Sequence, residues 1–153
     1  MEPLHFRAPF WTSWHYDITG FLYWSSVYWN YETMEGAWER PAFRDRFWGE
    51  GLLLYPGPPA GIQGPVTSIR LKLAREALED YEYMTMAAAL PGQGRLITYM
   101  GPENMIMERL PDAGAQVDGL VADVASSFQD WSRNPADYER ARERMAQMIV
   151  RGR

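Results

Sequence analysis

The 153-residue sequence predicts an α/β fold. Two observations predict it. The runs "FLYW" (21–24) and "LLLYP" (52–56) are rich in aromatic and apolar residues of the kind that favour strands. The stretches around them carry helical spacing, and strands alternating with helices suggest βα units and a parallel sheet. A third observation limits the reading. Only two strands are visible, and two parallel strands do not make a sheet that is stable in water. Either strands have escaped notice or the chain is part of something larger.

The elements follow in order. "RAPFWTSWHYDIT" reads as a short helix, with Pro9 in its first turn and Phe10, Trp11, Trp14 and Ile18 on one face. Gly20 stops it. "FLYW" is apolar on both alternating faces, as in a strand covered on both sides, so Phe21 and Leu22 read as core. Residues 25–49 have no clear period, and so long an irregular connection is often functional. "EGLLLYPG" is the second strand, and "PGPPAGIQGP" a loop by composition. Thr67 or Ser68 caps a long helix to about Leu90, with Leu71, Ala74, Leu78, Tyr81 and Thr85 inward and Arg75–Glu79 paired on the surface. Pro91-Gly92 ends it. "QVDGLVADVASSFQDW" is an amphipathic helix with Val117, Val121, Val124 and Phe128 in register. Asn134-Pro135 starts the last helix, with Tyr138, Met145 and Ile149 as its apolar side.

Composition excludes several functions. The net charge is −5 with no basic stripe, which argues against nucleic acid and against an anionic membrane surface. There is no cysteine, so disulfides, thiolate catalysis and Cys-based zinc sites are out. His5 and His15 are the only histidines, so a His-rich metal site is not expected and no cofactor is indicated. No apolar run reaches the ~18 residues of a membrane span. The first ten residues do not read as a signal peptide, and the compartment stays open.

The aromatic residues are concentrated. "GFLYWSSVYWN" (20–30) holds five rings in eleven positions, and six of the seven tryptophans lie in the first third. Such a cluster is either packing material or a surface for a flat, ring-shaped ligand.

Three segments then resemble a known family. "WTSWHYDITGFLYWSSVYWN", "GEGLLLYPG" and "GPVTSIRLKLAREALEDYEYM" look like successive motifs of the domain-of-unknown-function 4091 family, which includes glycoside hydrolase family 123. Trp14, Ile18, Gly20, Leu22, Tyr23 and Trp24 match the first motif. Gly49, Gly51, Leu52, Leu54, Tyr55, Pro56 and Gly57 match the second. Gly64, Pro65, Ser68–Leu71, Arg75 and Glu79–Tyr83 match the third. Asp17 and Thr19 stand where the family tends to have Gly and Asp, and Glu50, Lys72 and Ala77 replace Asp, Glu and Gly.

The resemblance implies the C-terminal part of a (β/α)₈-type barrel, with residues 1–92 giving two βα units and 93–153 a helical tail packed on them. A full barrel needs about 250 residues. It also implies a carbohydrate ligand. Family 123 enzymes cleave β-linked N-acetylgalactosamine by a substrate-assisted route, in which a Glu protonates the leaving oxygen and an adjacent Asp orients the acetamido group. Family members are often exported. That Asp-Glu pair is absent from this sequence, so the chain alone is expected to be inactive. Glu79-Asp80 lies mid-helix, where neighbours point ~100° apart, and reads as packing or solvated surface.

What the segment can supply is a sugar-binding wall: Tyr23, Trp24, Trp29 and Asn30 at or just after one strand end, and Tyr55 at the other. A pyranose stacks its C–H face on an aromatic ring, while Asn and Tyr bond its hydroxyls. Trp38 and Trp48 either pin the long loop or join that wall. Trp11 and Trp14 read as packing and His15 as exposed. Arg70 either pairs within the fold or reaches the site. Two rival readings stand beside this one. The chain could be a non-catalytic, α-rich interaction module whose aromatic cluster is a protein interface, or a self-contained enzyme using Glu32, Glu35 or Glu50.

Overall fold

Pro9 opens α1 (Ala8–His15) as expected, and the helix buries Phe10, Trp11 and Trp14 on one side. Its end is a Schellman closure. Ile18 N donates to Ser13 O (2.8 Å) and Asp17 N to Trp14 O (3.2 Å). Asp17 takes the left-handed conformation that this closure needs, φ +54°. The computed structural model describes residues 3–29, 35–43, 46–90 and 115–152.

The chain divides into two compact units, one of residues 1–7 and 20–76, the other of residues 8–19 and 77–153. In the first unit the strands are two residues long and pair as antiparallel hairpins. After α2 (Gly36–Glu39), β1 (Ala42–Phe43) pairs β2 (Phe47–Trp48). Then β3 (Leu54–Tyr55) pairs β4 (Val66–Thr67), with Tyr55 opposite Val66. The loop between them holds a 3₁₀ turn, Pro58–Ala60.

"FLYW" is not a strand. The pairing falls a few residues later: Val27 bridges Leu52, Tyr28 N donates to Gly51 O (2.8 Å), and Ser26 O accepts from Leu53 N and Leu54 N. Phe21 and Leu22, expected in the core, are 49% and 87% exposed. A run apolar on both faces needs cover on both, and among the described residues no sheet neighbour provides it. Among the described residues the buried apolar side chains of this unit are Leu4, Phe6, Ala37 and Leu52.

The second unit is helical. It contains α1, the latter part of α3 (Ile69–Ala88), α4 (Ala115–Val124) and α5 (Pro135–Arg151). Ser68 Oγ caps α3 by accepting from Leu71 N (3.3 Å). Asn134 Oδ1 caps α5 by accepting from Ala136 N (3.2 Å), with Pro135 following. Val117, Val121 and Val124 are buried as their spacing predicts, as are Tyr138 and Met145, whereas Phe128 lies beyond α4 and is exposed.

The buried face of α3 differs from the expected one. Ala77, Asp80, Met84 and Ala87 point inward, and Leu78 is exposed. The offset centres on Asp80, which is fully buried. It accepts from Trp11 Nε1 (2.9 Å) and from Arg142 Nε (2.5 Å). A buried carboxylate persists only when paired and hydrogen-bonded, and those partners are remote in sequence. Trp11 stacks edge-on against Tyr138 (5.3 Å), and Trp14 against Tyr81 (5.2 Å).

Candidate functional site

In the first unit the segment Gly49–Pro56 gathers the aromatic residues. The Tyr23 phenol oxygen accepts from Gly51 N (2.9 Å). Trp24 Nε1 donates to Glu50 Oε1 (2.8 Å), Trp29 Nε1 to Leu54 O (3.0 Å) and Trp38 Nε1 to Pro56 O (2.8 Å). Tyr55 lies 4.8 Å from the Trp38 ring, centre to centre. All three indole N–H groups are therefore bonded within this unit.

Arg70, at the start of α3, ties the cluster together. Its Nε donates to Leu52 O (3.0 Å) and its NH2 to the Tyr55 oxygen (2.6 Å). That oxygen accepts, so its own proton can serve an outside acceptor. Two left-handed glycines seat these groups. A Cβ at Gly49 (φ +77°) would lie 2.5 Å from the Arg70 guanidinium, and one at Gly51 (φ +73°) 2.6 Å from the Trp24 ring. Only glycine fits both the torsion and the space.

Electrostatics follow from this packing. Burial pushes the Tyr23 phenol above its ordinary range, the Gly51 N–H pulls the other way, and the neighbouring Glu50 carboxylate raises it further. Tyr23 is thus a neutral hydroxyl at ordinary pH.

The expected ligand residues Tyr23, Trp24, Trp29 and Tyr55 thus come together, and none of them is fully buried. Asn30 lies outside the described residues, as does Glu32. The sequence reading left Arg70 and Trp38 undecided and gave Glu50 no place in the wall. The signals were there: Arg70 in the third motif, and Glu50 between two glycines of the second.

The family model for the catalytic domain of glycoside hydrolase 123 matches residues 2–87, more than half of the chain. The chain belongs to that family. No curated protein matches it. The glycoside hydrolase 123 match takes in every residue of the aromatic cluster and most of α3. Membership makes the chain glycoside-hydrolase-like, with carbohydrate as its substrate class.

Glu79-Asp80 also falls within the matched region, but its geometry is structural. Asp80 is fully buried against Trp11 and Arg142, and Arg142 stands 3.9 Å from Glu79. The second unit has a groove of about 310 Å³ between α4 and α5, lined by Leu120, Asp123, Asp137, Arg140 and Arg144. Asp137 and Arg140 pair with each other there. Among the described residues no three His, Asp or Glu side chains are placed to hold a metal, and no helix is long and apolar enough to cross a membrane.

Proposed function

We propose that this chain contributes a sugar-binding wall to a glycoside-hydrolase-like barrel domain acting on β-linked N-acetylhexosamine, N-acetylgalactosamine above all. Tyr23, Trp24, Trp29 and Tyr55 are the described wall residues, and Asn30 the expected fifth. Residues 1–92 would belong to the barrel and 93–153 to a helical tail. The acid pair is not in this chain, so it binds without cleaving.

The observation that carries this reading is the meeting of three family motifs in one aromatic cluster. Tyr23 and Trp24 from the first, Gly49–Pro56 from the second and Arg70 from the third are joined by direct hydrogen bonds. Exposed apolar groups support the barrel. Phe21, Leu22, Val27, Phe47 and Trp48 leave this unit with more apolar surface than a finished core shows. Further barrel strands would cover it.

The test is a titration of the chain with N-acetylgalactosamine, followed by tryptophan fluorescence. Saturable binding in the millimolar range is expected, weakened about tenfold by Trp29→Ala or Tyr55→Ala, since aromatic anchors carry much of such binding. An aryl β-N-acetylgalactosaminide should stay intact. A flat titration overturns the proposal.

A second reading, a non-catalytic interaction module, is favoured by the exposure of Phe21 and Leu22 alone. It predicts self-association that Leu22→Ser abolishes, with no response to sugar.

A further inference from the structure

Glu50 is an acidic side chain held in an unusual amount of fixed geometry. It sits between two glycines in left-handed conformations, and a Cβ on either would collide with a neighbour. Its Oε1 accepts from the Trp24 indole N–H at 2.8 Å, and its carboxylate stands beside the Tyr23 phenol. It is half-buried. A solvated surface glutamate needs none of this.

The position of the carboxylate matters. Nε1 lies on the edge of the indole, so Glu50 sits at the rim of the Trp24 ring rather than over its face. Trp24 is 45% exposed. A pyranose stacked on that ring, about 4 Å above it at van der Waals contact, carries its hydroxyls at its own rim. A carboxylate there can accept from two neighbouring hydroxyls, because an ionised carboxylate has about four acceptor positions. Trp24 takes one of them and the Tyr23 hydroxyl, hydrogen-bonded to the same carboxylate, a second, which leaves two.

We propose that Glu50 is a specificity-determining binding residue that accepts two adjacent hydroxyls of a neutral pyranose stacked on Trp24 and turns away acidic sugars. The assignment rests on the sugar-wall reading above and adds to it a discrimination by charge. A uronate carboxylate brought to the same rim meets a fixed like charge, and repulsion of that kind is how a site rejects a near-isostere.

The test compares N-acetylgalactosamine with galacturonic acid, on the unaltered chain and on Glu50→Gln, by tryptophan fluorescence. Glutamine keeps an oxygen for the Trp24 N–H and removes the charge. The neutral sugar should bind about tenfold more weakly to E50Q, because charge-assisted hydrogen bonds are roughly twice as strong as neutral ones. Galacturonic acid should bind several-fold more tightly. Opposite signs for the two sugars are an outcome that mere loss of structure cannot produce. If both sugars bind E50Q as they bind the unaltered chain, Glu50 has no such role, while the sugar wall stands. If the unaltered chain binds neither sugar, both proposals fall. Should E50Q not fold, the unaltered chain decides. Its preference for the neutral sugar must narrow as salt rises from low to high, since screening removes repulsion, and a preference independent of salt overturns the assignment.

Discussion

The Arg70 guanidinium bridges Tyr55 and the backbone beside it, donating to the phenol oxygen at 2.6 Å and to the Leu52 carbonyl at 3.0 Å. Leu52 is fully buried, 1% exposed. One side chain therefore couples a candidate ligand residue to the core. A planar fork makes both bonds at once, which a lysine ammonium does not reproduce. Arg70→Lys should cost about 1–2 kcal/mol and Arg70→Met about 2–4 kcal/mol, at roughly 1.5–3 kcal/mol for a hydrogen bond to a charged group. Urea denaturation measures both. An Arg70→Lys variant as stable as the unaltered chain would show that the fork is not what matters.

Asp80 gives a comparably large expected effect. Its side chain is fully buried and the Arg142 side chain 18% exposed. Asp80→Asn leaves the arginine only the longer contact to the exposed Glu79 as counter-ion and should cost about 3 kcal/mol, the low end for breaking a buried pair. Adding Arg142→Met should recover part of that loss, because the penalty lies in a partly buried charge that has lost its closest partner. A double-mutant cycle reads the coupling, and strict additivity would mean that the pair does not act as one.

Asp17 occupies the left-handed position of the α1 closure, where the family resemblance places glycine. Asp17→Gly removes the Cβ cost of that conformation and should raise stability by about 0.5–1 kcal/mol. Thermal melting checks the sign. A lower melting temperature would mean that the aspartate side chain stabilises the turn by more than its backbone costs.

Alkaline pH should weaken the fold through two phenols. Burial raises Tyr81, and burial with the Glu50 charge raises Tyr23, both above the ordinary value of 10.0. A phenol raised in the folded state holds its proton more tightly there than in the unfolded chain. Its contribution is complete below about pH 10 and is lost as pH climbs through the higher folded value. Melting temperature should therefore be flat to about pH 9.5 and fall beyond it. Tyr81→Phe should fall less steeply, and parallel curves for the two proteins would rule Tyr81 out as a source.

The sequence by itself determined the helices of the second unit and the family. Pro9, Asn134-Pro135 and the Val117/Val121/Val124 spacing mark α1, α5 and α4 because helix caps and helix faces are written within a few residues. The three motifs were legible for the same reason, as contiguous strings. Tertiary structure decided what depends on distant partners. "FLYW" has the composition of a strand, but pairing fell to Ser26–Tyr28, because a strand exists only where another segment meets it. Asp80 is core rather than surface because Arg142, 62 residues away, neutralises it. Tyr23, Trp24, Trp29 and Tyr55 were named from the sequence, but that one segment, Gly49–Pro56, and one arginine would bind them together was settled only by backbone carbonyls and left-handed glycines brought into contact by folding.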